Sequence, residues 1–237
     1  MYLEQNREEF NSLASERSGH KRTLNNYLSI IDKAIQCADY KSYKNILRGN
    51  GKEDRQLFRK LHDYYGWMAK NANCKRGGCA GTLYRSSEYM KLLREKRIGD
   101  KVGQNVHIEH VIPNHYIPRL IWGQKQFLND LESVFDFFLK ISVCAAVDQE
   151  NERGLIDKRR DINGSRINCR EEHPGIKLDG DSAYLTNDQP FSRYIGSGVH
   201  IYTMSTGKEI SFEEFTYEDH FKALKEHKAF HWNTYNP

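Results

Sequence analysis

Apolar residues recur at helical spacing through the first 48 positions. Leu24, Tyr27, Leu28 and Ile31 are followed by Ala34, Ile35 and Ala38, which predicts helices over 1–48. Gly49-Asn50-Gly51 breaks the pattern, and helix resumes over 54–70 with Leu57, Leu61, Tyr64 and Tyr65 on one face. Residues 71–81 are rich in Gly and Cys and read as a loop. A further helix is expected over 86–97, ending at Gly99. At 106–112 the period changes to two, around His107, Glu109 and His110, and a strand is expected that stops at Pro113. Helical spacing returns over 126–140, where Phe127, Leu131, Val134, Phe135 and Phe138 share a side. A short apolar run over 143–147 leads into a helix start over 148–156, with Asp148 as the N-cap. Residues 157–182 are polar and read as a loop. Residues 194–203 and 208–212 are expected to pair as a hairpin across Ser205-Thr206-Gly207, before a last helix over 215–230.

The 237 residues suffice for one domain with a sizeable core or for two small ones. With 38% apolar and 12% aromatic residues the composition is globular, since a disordered chain is poor in aromatics. No stretch approaches the run of about 20 apolar residues that a spanning helix needs. The opening MYLEQNREEF lacks the parts of a signal peptide, so a soluble, cytoplasmic protein with no membrane partner is expected. The five cysteines, at 37, 74, 79, 144 and 169, form an odd set that argues against a disulfide framework. Cys74 and Cys79 have the spacing of half a zinc knuckle. Cys169 and His173 are the candidates to complete a structural Zn site, and reduced structural thiols are the alternative.

The net charge of +4 is only mildly basic, and its distribution says more. Basic residues gather between Arg55 and Arg97, including Lys75 and Arg76, and again between Arg153 and Arg170. The two groups flank Val106-His107-Ile108-Glu109-His110-Val111-Ile112-Pro113. The bland reading of such runs is a set of solvated helix faces.

That stretch resembles the HNH nuclease family, whose site opens with an acidic residue followed by His, two aliphatics and often Pro. A second stretch, Val143-Cys144-Ala145-Ala146-Val147-Asp148-Gln149-Glu150-Asn151-Glu152-Arg153-Gly154, is similar to the family's apolar strand, polar turn and polar helix residue. The resemblance covers about 50 residues, Val106 to Leu155. It implies two antiparallel strands followed by a helix around one divalent metal, Mg²⁺ or Mn²⁺. Glu109 and Asn151 would be the ligands and His110 the general base. The gap from His110 to Asn151 exceeds the family's usual one, so Asp148 and Glu150 are alternatives to Asn151, and Glu109 stands where Asp is more usual. An imidazole titrating at about 6.5 can take a proton from water at neutral pH, and hard oxygen ligands suit these ions. The structural alternative is an edge strand with a surface His. His107 is a neighbour on the strand and a minor ligand candidate, while His115, His173 and His200 read as ordinary polar residues.

The expected architecture is α+β. A helical region, 1–100, contacts DNA; a ββα-metal HNH core spans 101–160; a loop, hairpin and helix fill 161–237. The expected function is metal-dependent hydrolysis of double-stranded DNA, as in a sequence-specific type II restriction enzyme acting as a homodimer. Arg153, Arg193, Arg76 and Lys75 are the candidate DNA contacts. The alternatives are a homing or phage nicking enzyme, a nuclease toxin, or a nucleic-acid-binding protein without catalysis.

Overall fold

The computed structural model describes residues 3–8, 29–48, 57–58, 82–94, 106–128, 130–157 and 172–226. Most of the helix expected over 54–70, the loop at 71–81, Lys75, Arg76, Cys74, Cys79 and Cys169 lie outside the described residues.

The chain is a mixture of helix and strand, as expected of an α+β protein. Residues 3–8 and 29–35 are helical, and α1 follows at Tyr40–Arg48. Then come β1 (Tyr84–Ser86), α2 (Ser87–Arg94), β2 (Val106–His110), α3 (Ile117–Gly123), α4 (Leu131–Ile141), β3 (Cys144–Asp148) and α5 (Arg153–Asp157). The last part holds β4 (Ile176–Asp179), β5 (Ser182–Leu185), a 3-10 turn at Ser192–Tyr194, β6 (Ile201–Thr203) and α6 (Tyr217–Glu226).

Four strands form one sheet in the order β2-β3-β1-β6. β2 and β3 are antiparallel, from Val106 opposite Asp148 to His110 opposite Cys144. β1 lies parallel to β3 and antiparallel to β6. The sheet therefore draws strands from all three segments, 1–100, 101–160 and 161–237. β3 is buried along its whole length, which suits its small, apolar sequence CAAVD. Because side chains alternate across a strand, Ala145 and Val147 reach the main core, while Cys144 and Ala146 pack with Tyr89 and Leu92 of α2 and with Val106 and Ile108 of β2.

Helices cover the sheet through their apolar stripes. In α6, Tyr217, His220, Phe221 and Leu224 are buried at the spacing that one helix face demands. Thr216 and Asp219 cap that helix reciprocally: Asp219 N donates to Thr216 Oγ1 (3.1 Å) and Thr216 N to Asp219 Oδ2 (2.9 Å). α4 buries Val134, Phe135, Phe138, Leu139 and Ile141. It starts five residues later than expected, because Asp130 accepts from Ser133 N at 2.7 Å and fixes the N-terminus there. Phe127, expected on the buried side, lies ahead of that cap and is 67% exposed.

Two further expectations change. The segment read as a loop, 157–182, contains β4 and the turn of the β4–β5 hairpin at Asp179-Gly180-Asp181, with Gly180 at φ 56°. Asp179 pairs with Ser182, so Gly180-Asp181 is the two-residue loop, and Gly at its first position is a hairpin signal because that position needs positive φ. The hairpin expected across Ser205-Thr206-Gly207 forms but is short: Thr203 N donates to Lys208 O (2.9 Å), Gly207 N to Thr203 O (2.8 Å) and Ile210 N to Ile201 O (2.8 Å) around the Tyr202–Glu209 bridge, on the edge of β6 that β1 leaves open.

Candidate functional site at the end of the second strand

β2 ends at His110, and the chain bends at Val111 and Ile112 before Pro113. Val111 N still donates to Val143 O at 3.0 Å, so the turn away from the sheet is anchored on both strands. His107 and Glu109 point to one face of β2 and His110 to the other. Glu109 is 7% exposed, whereas His107 and His110 are half-buried.

The 3-10 turn Ser192–Tyr194 brings Arg193 to this strand. Arg193 Nη1 donates to Glu109 Oε1 at 2.6 Å and to the His110 carbonyl at 3.2 Å. The other carboxylate oxygen, Oε2, faces His107 Nε2 at 3.1 Å. Burial works to raise the Glu109 carboxyl. The His107 hydrogen bond and the Arg193 charge outweigh it and hold the group below the usual carboxylate range. An ionised carboxylate only accepts, so His107 Nε2 carries the proton in this contact.

The turn that presents Arg193 is packed into the core. Phe191 and Tyr194 are fully buried, with ring centroids 5.3 Å apart, and Phe191 meets Tyr84 of β1 edge-on at 5.4 Å. Ser192 Oγ donates to Gln189 O at 2.6 Å.

A second polar node sits at the far end of β3. Asp148 accepts from Glu150 N (2.7 Å), Asn151 N (3.0 Å) and Asn151 Nδ2 (3.1 Å), which shapes the turn into α5. Glu152 is buried beneath it and accepts from Asp148 N (2.8 Å) and from Ser86 Oγ. Burial pushes the Glu152 carboxyl up against these hydrogen bonds. Ser86 also accepts from Tyr89 N at 3.1 Å, capping α2.

The structure thus brings together the side chains of Glu109, Arg193 and His107 with the main-chain carbonyl of His110, while the His110 imidazole lies on the opposite face of β2. It does not bring Asn151 to them. Glu109 pairs with Ala145 and Asn151 is tethered to Asp148, three residues further along the strand, or about 10 Å. Asn151 and Glu150 are exposed, and Arg153 is half-buried at the start of α5. Arg193, a candidate DNA contact in the sequence, is 1% exposed and spends Nη1 inside the protein. The His107–Glu109 contact follows from the i, i+2 rule on a strand face. The Glu152–Ser86 contact spans 66 residues and has no such local signal.

The donor set does not fit the divalent ion that the resemblance implies. Both oxygens of Glu109 are engaged, and Asp148 is committed to its own turn. Among the described residues, no three His, Cys, Asp or Glu side chains gather as a ligand set. Of the zinc candidates only His173 is described. It is buried, its Nδ1 accepts from Gly175 N at 3.1 Å, and burial with the Arg193 charge pushes it down to about 3. Exposed His115 packs at a tilt against Tyr116 with centroids 4.2 Å apart, and exposed His200 pairs with Glu209 at 2.6 Å.

No family model, curated protein or solved structure matches the chain. Among the described residues, no helix is long and apolar enough to cross a membrane.

Proposed function

We propose that the chain is an endonuclease that hydrolyses DNA phosphodiester bonds, with His110 as the general base. The observation that carries this reading is the order and placement of three elements. β2 pairs antiparallel with β3, which leads through the turn at 149–152 into α5, and a half-buried His110 stands where β2 ends and bends, next in sequence to an ionised Glu109. An imidazole so placed can take the proton of an attacking water, a contribution of about 10²–10⁴ in rate. The attack would release the 3′ oxygen and leave a 5′-phosphate. The finer reading is a type II restriction enzyme acting on duplex DNA as a homodimer. Among the described residues the Mg²⁺ or Mn²⁺ of the resemblance has no complete ligand set.

The test is incubation with plasmid and unmethylated phage DNA in Mg²⁺ and in Mn²⁺, beside His110→Ala and an EDTA control. Discrete fragments that disappear in His110→Ala support the reading, and their loss in EDTA adds the metal requirement. One observation favours a second reading, a nucleic-acid-binding protein without catalysis: the Glu109 carboxylate is satisfied internally on both oxygens. Such a protein holds DNA in EDTA and cuts it under no condition.

A further inference from the structure

Arg193 lies outside the stretch that resembles a nuclease, yet it reaches back 84 positions to Glu109. One nitrogen, Nη1, meets both the Glu109 carboxylate and the main-chain carbonyl of His110. The contact therefore fixes the last residue of β2 by its backbone, while the Glu109 side chain extends the same network to His107. At 1% exposure for Arg193 and 7% for Glu109, neither group can touch a duplex without leaving this arrangement. Opening a buried ion pair strands the remaining charge, so the pair resists being pulled apart. The 3-10 turn that carries Arg193 is seated in the core by Phe191 and Tyr194 on either side of it. A functional group is best placed when a second layer of packed, hydrogen-bonded residues locks it.

We propose that Arg193 is a positioning residue for His110, anchoring the end of β2 through Glu109 and the His110 carbonyl, and that Glu109 serves this anchor rather than a metal ion. The positioning role rests on the nuclease reading; the anchor itself does not. It gives the C-terminal third of the chain a part in the site.

The experiment compares wild type, Arg193→Met, Arg193→Lys and Glu109→Gln by three readouts. In steady-state cleavage, Arg193→Met is expected to lower kcat by about tenfold or more while DNA affinity stays within about twofold, and Arg193→Lys recovers part of the loss. A phosphate contact would behave otherwise, weakening DNA binding and reducing its salt slope by about one. In hydrogen exchange, the amides at 110–112 are expected to exchange faster in both Arg193 variants while those of α4 hold. Mn²⁺ titration is expected to give the same result for Glu109→Gln as for wild type. Weakened DNA binding with kcat unchanged, or unaltered exchange at 110–112, overturns the anchor. Loss in Glu109→Gln of Mn²⁺ binding that wild type shows overturns the second clause. If wild type cuts no DNA, the nuclease reading falls by itself and hydrogen exchange decides the anchor. If Arg193→Met does not fold, Arg193→Lys carries the same comparisons.

Discussion

The hydroxyl of Tyr84 and Nδ1 of His220 share a hydrogen bond of 2.8 Å in the middle of the core. It ties β1 to α6 across 136 positions, and both side chains are buried. Burial drives the His220 imidazole down to about 4, only partly countered by the carbonyls of Leu139 and Ser142.

Stability at acid pH follows from that imidazole. It is neutral in the folded protein and titrates at about 6.5 when unfolded, so the unfolded state binds the proton first as pH falls. The stabilisation is full above pH 6.5 and is lost as pH drops towards 4. About 2 kcal/mol of it should be gone at pH 5. Urea unfolding at pH 7.5 and pH 5 should show the drop in wild type and a smaller one in His220→Leu. Equal pH dependence in the two proteins would remove His220 from this role.

Gly123 marks a close approach between α3 and the β4–β5 hairpin. A Cβ at this position would lie 2.5 Å from the backbone oxygen of Ala183, which cannot swing aside as a side chain can. Gly123→Ala should therefore lower stability by about 1–3 kcal/mol. Gly154 in α5 has nothing within 4 Å of its Cβ position, and Gly154→Ala should raise stability by about 0.4–1 kcal/mol. Thermal melts of the two variants should move in opposite directions. A shared direction would mean that the space around Gly123 is not what decides its identity.

The node at Ser86 and Glu152 is a second test of buried polar packing. Glu152→Ala leaves Asp148 N and Ser86 Oγ without their acceptor, at a cost of about 1–3 kcal/mol. Ser86→Ala removes the cap of α2 as well as one donor to Glu152, at about 1 kcal/mol. Because the two side chains share one contact, the double variant should lose less than the sum of the singles in urea unfolding. Strict additivity would show that Ser86 and Glu152 act separately.

Much of this fold can be read locally and much of the site cannot. β2, the body of α4 and the stripe of α6 follow from periodicities of two and 3.6, and β3 from a short apolar run, signals that each segment carries alone. The start of α4 at Asp130 depended on a cap rather than on the apolar spacing, and the β4–β5 hairpin on a turn pair rather than on a hydrophobic run. Glu109 and His110 stood out in the sequence because they are adjacent. Their partner Arg193 comes from a distant turn, and no spacing rule links it to β2. A basic residue also looks alike in sequence whether it faces solvent or an internal carboxylate. Only packing separates the two, and it makes Arg193 an internal counter-ion.

The two histidines of β2 give the sharpest comparison. They lie on opposite faces of the strand, so one phosphate cannot meet both imidazoles while the strand stays regular. His110→Ala should lower cleavage by about 10²–10⁴, the range for losing a general base. His107→Ala removes one of the two partners of Glu109 but leaves Arg193 in place. The network then loses a neighbour and not its anchor, and cleavage should fall by less than about tenfold. Added imidazole should restore part of the activity of His110→Ala and leave His107→Ala unchanged, because only the first variant lacks the proton acceptor. The reverse ranking, with His107→Ala the more damaging and the one rescued, would move the chemistry to the Glu109 face of the strand. Glu109 would then be orienting the base itself.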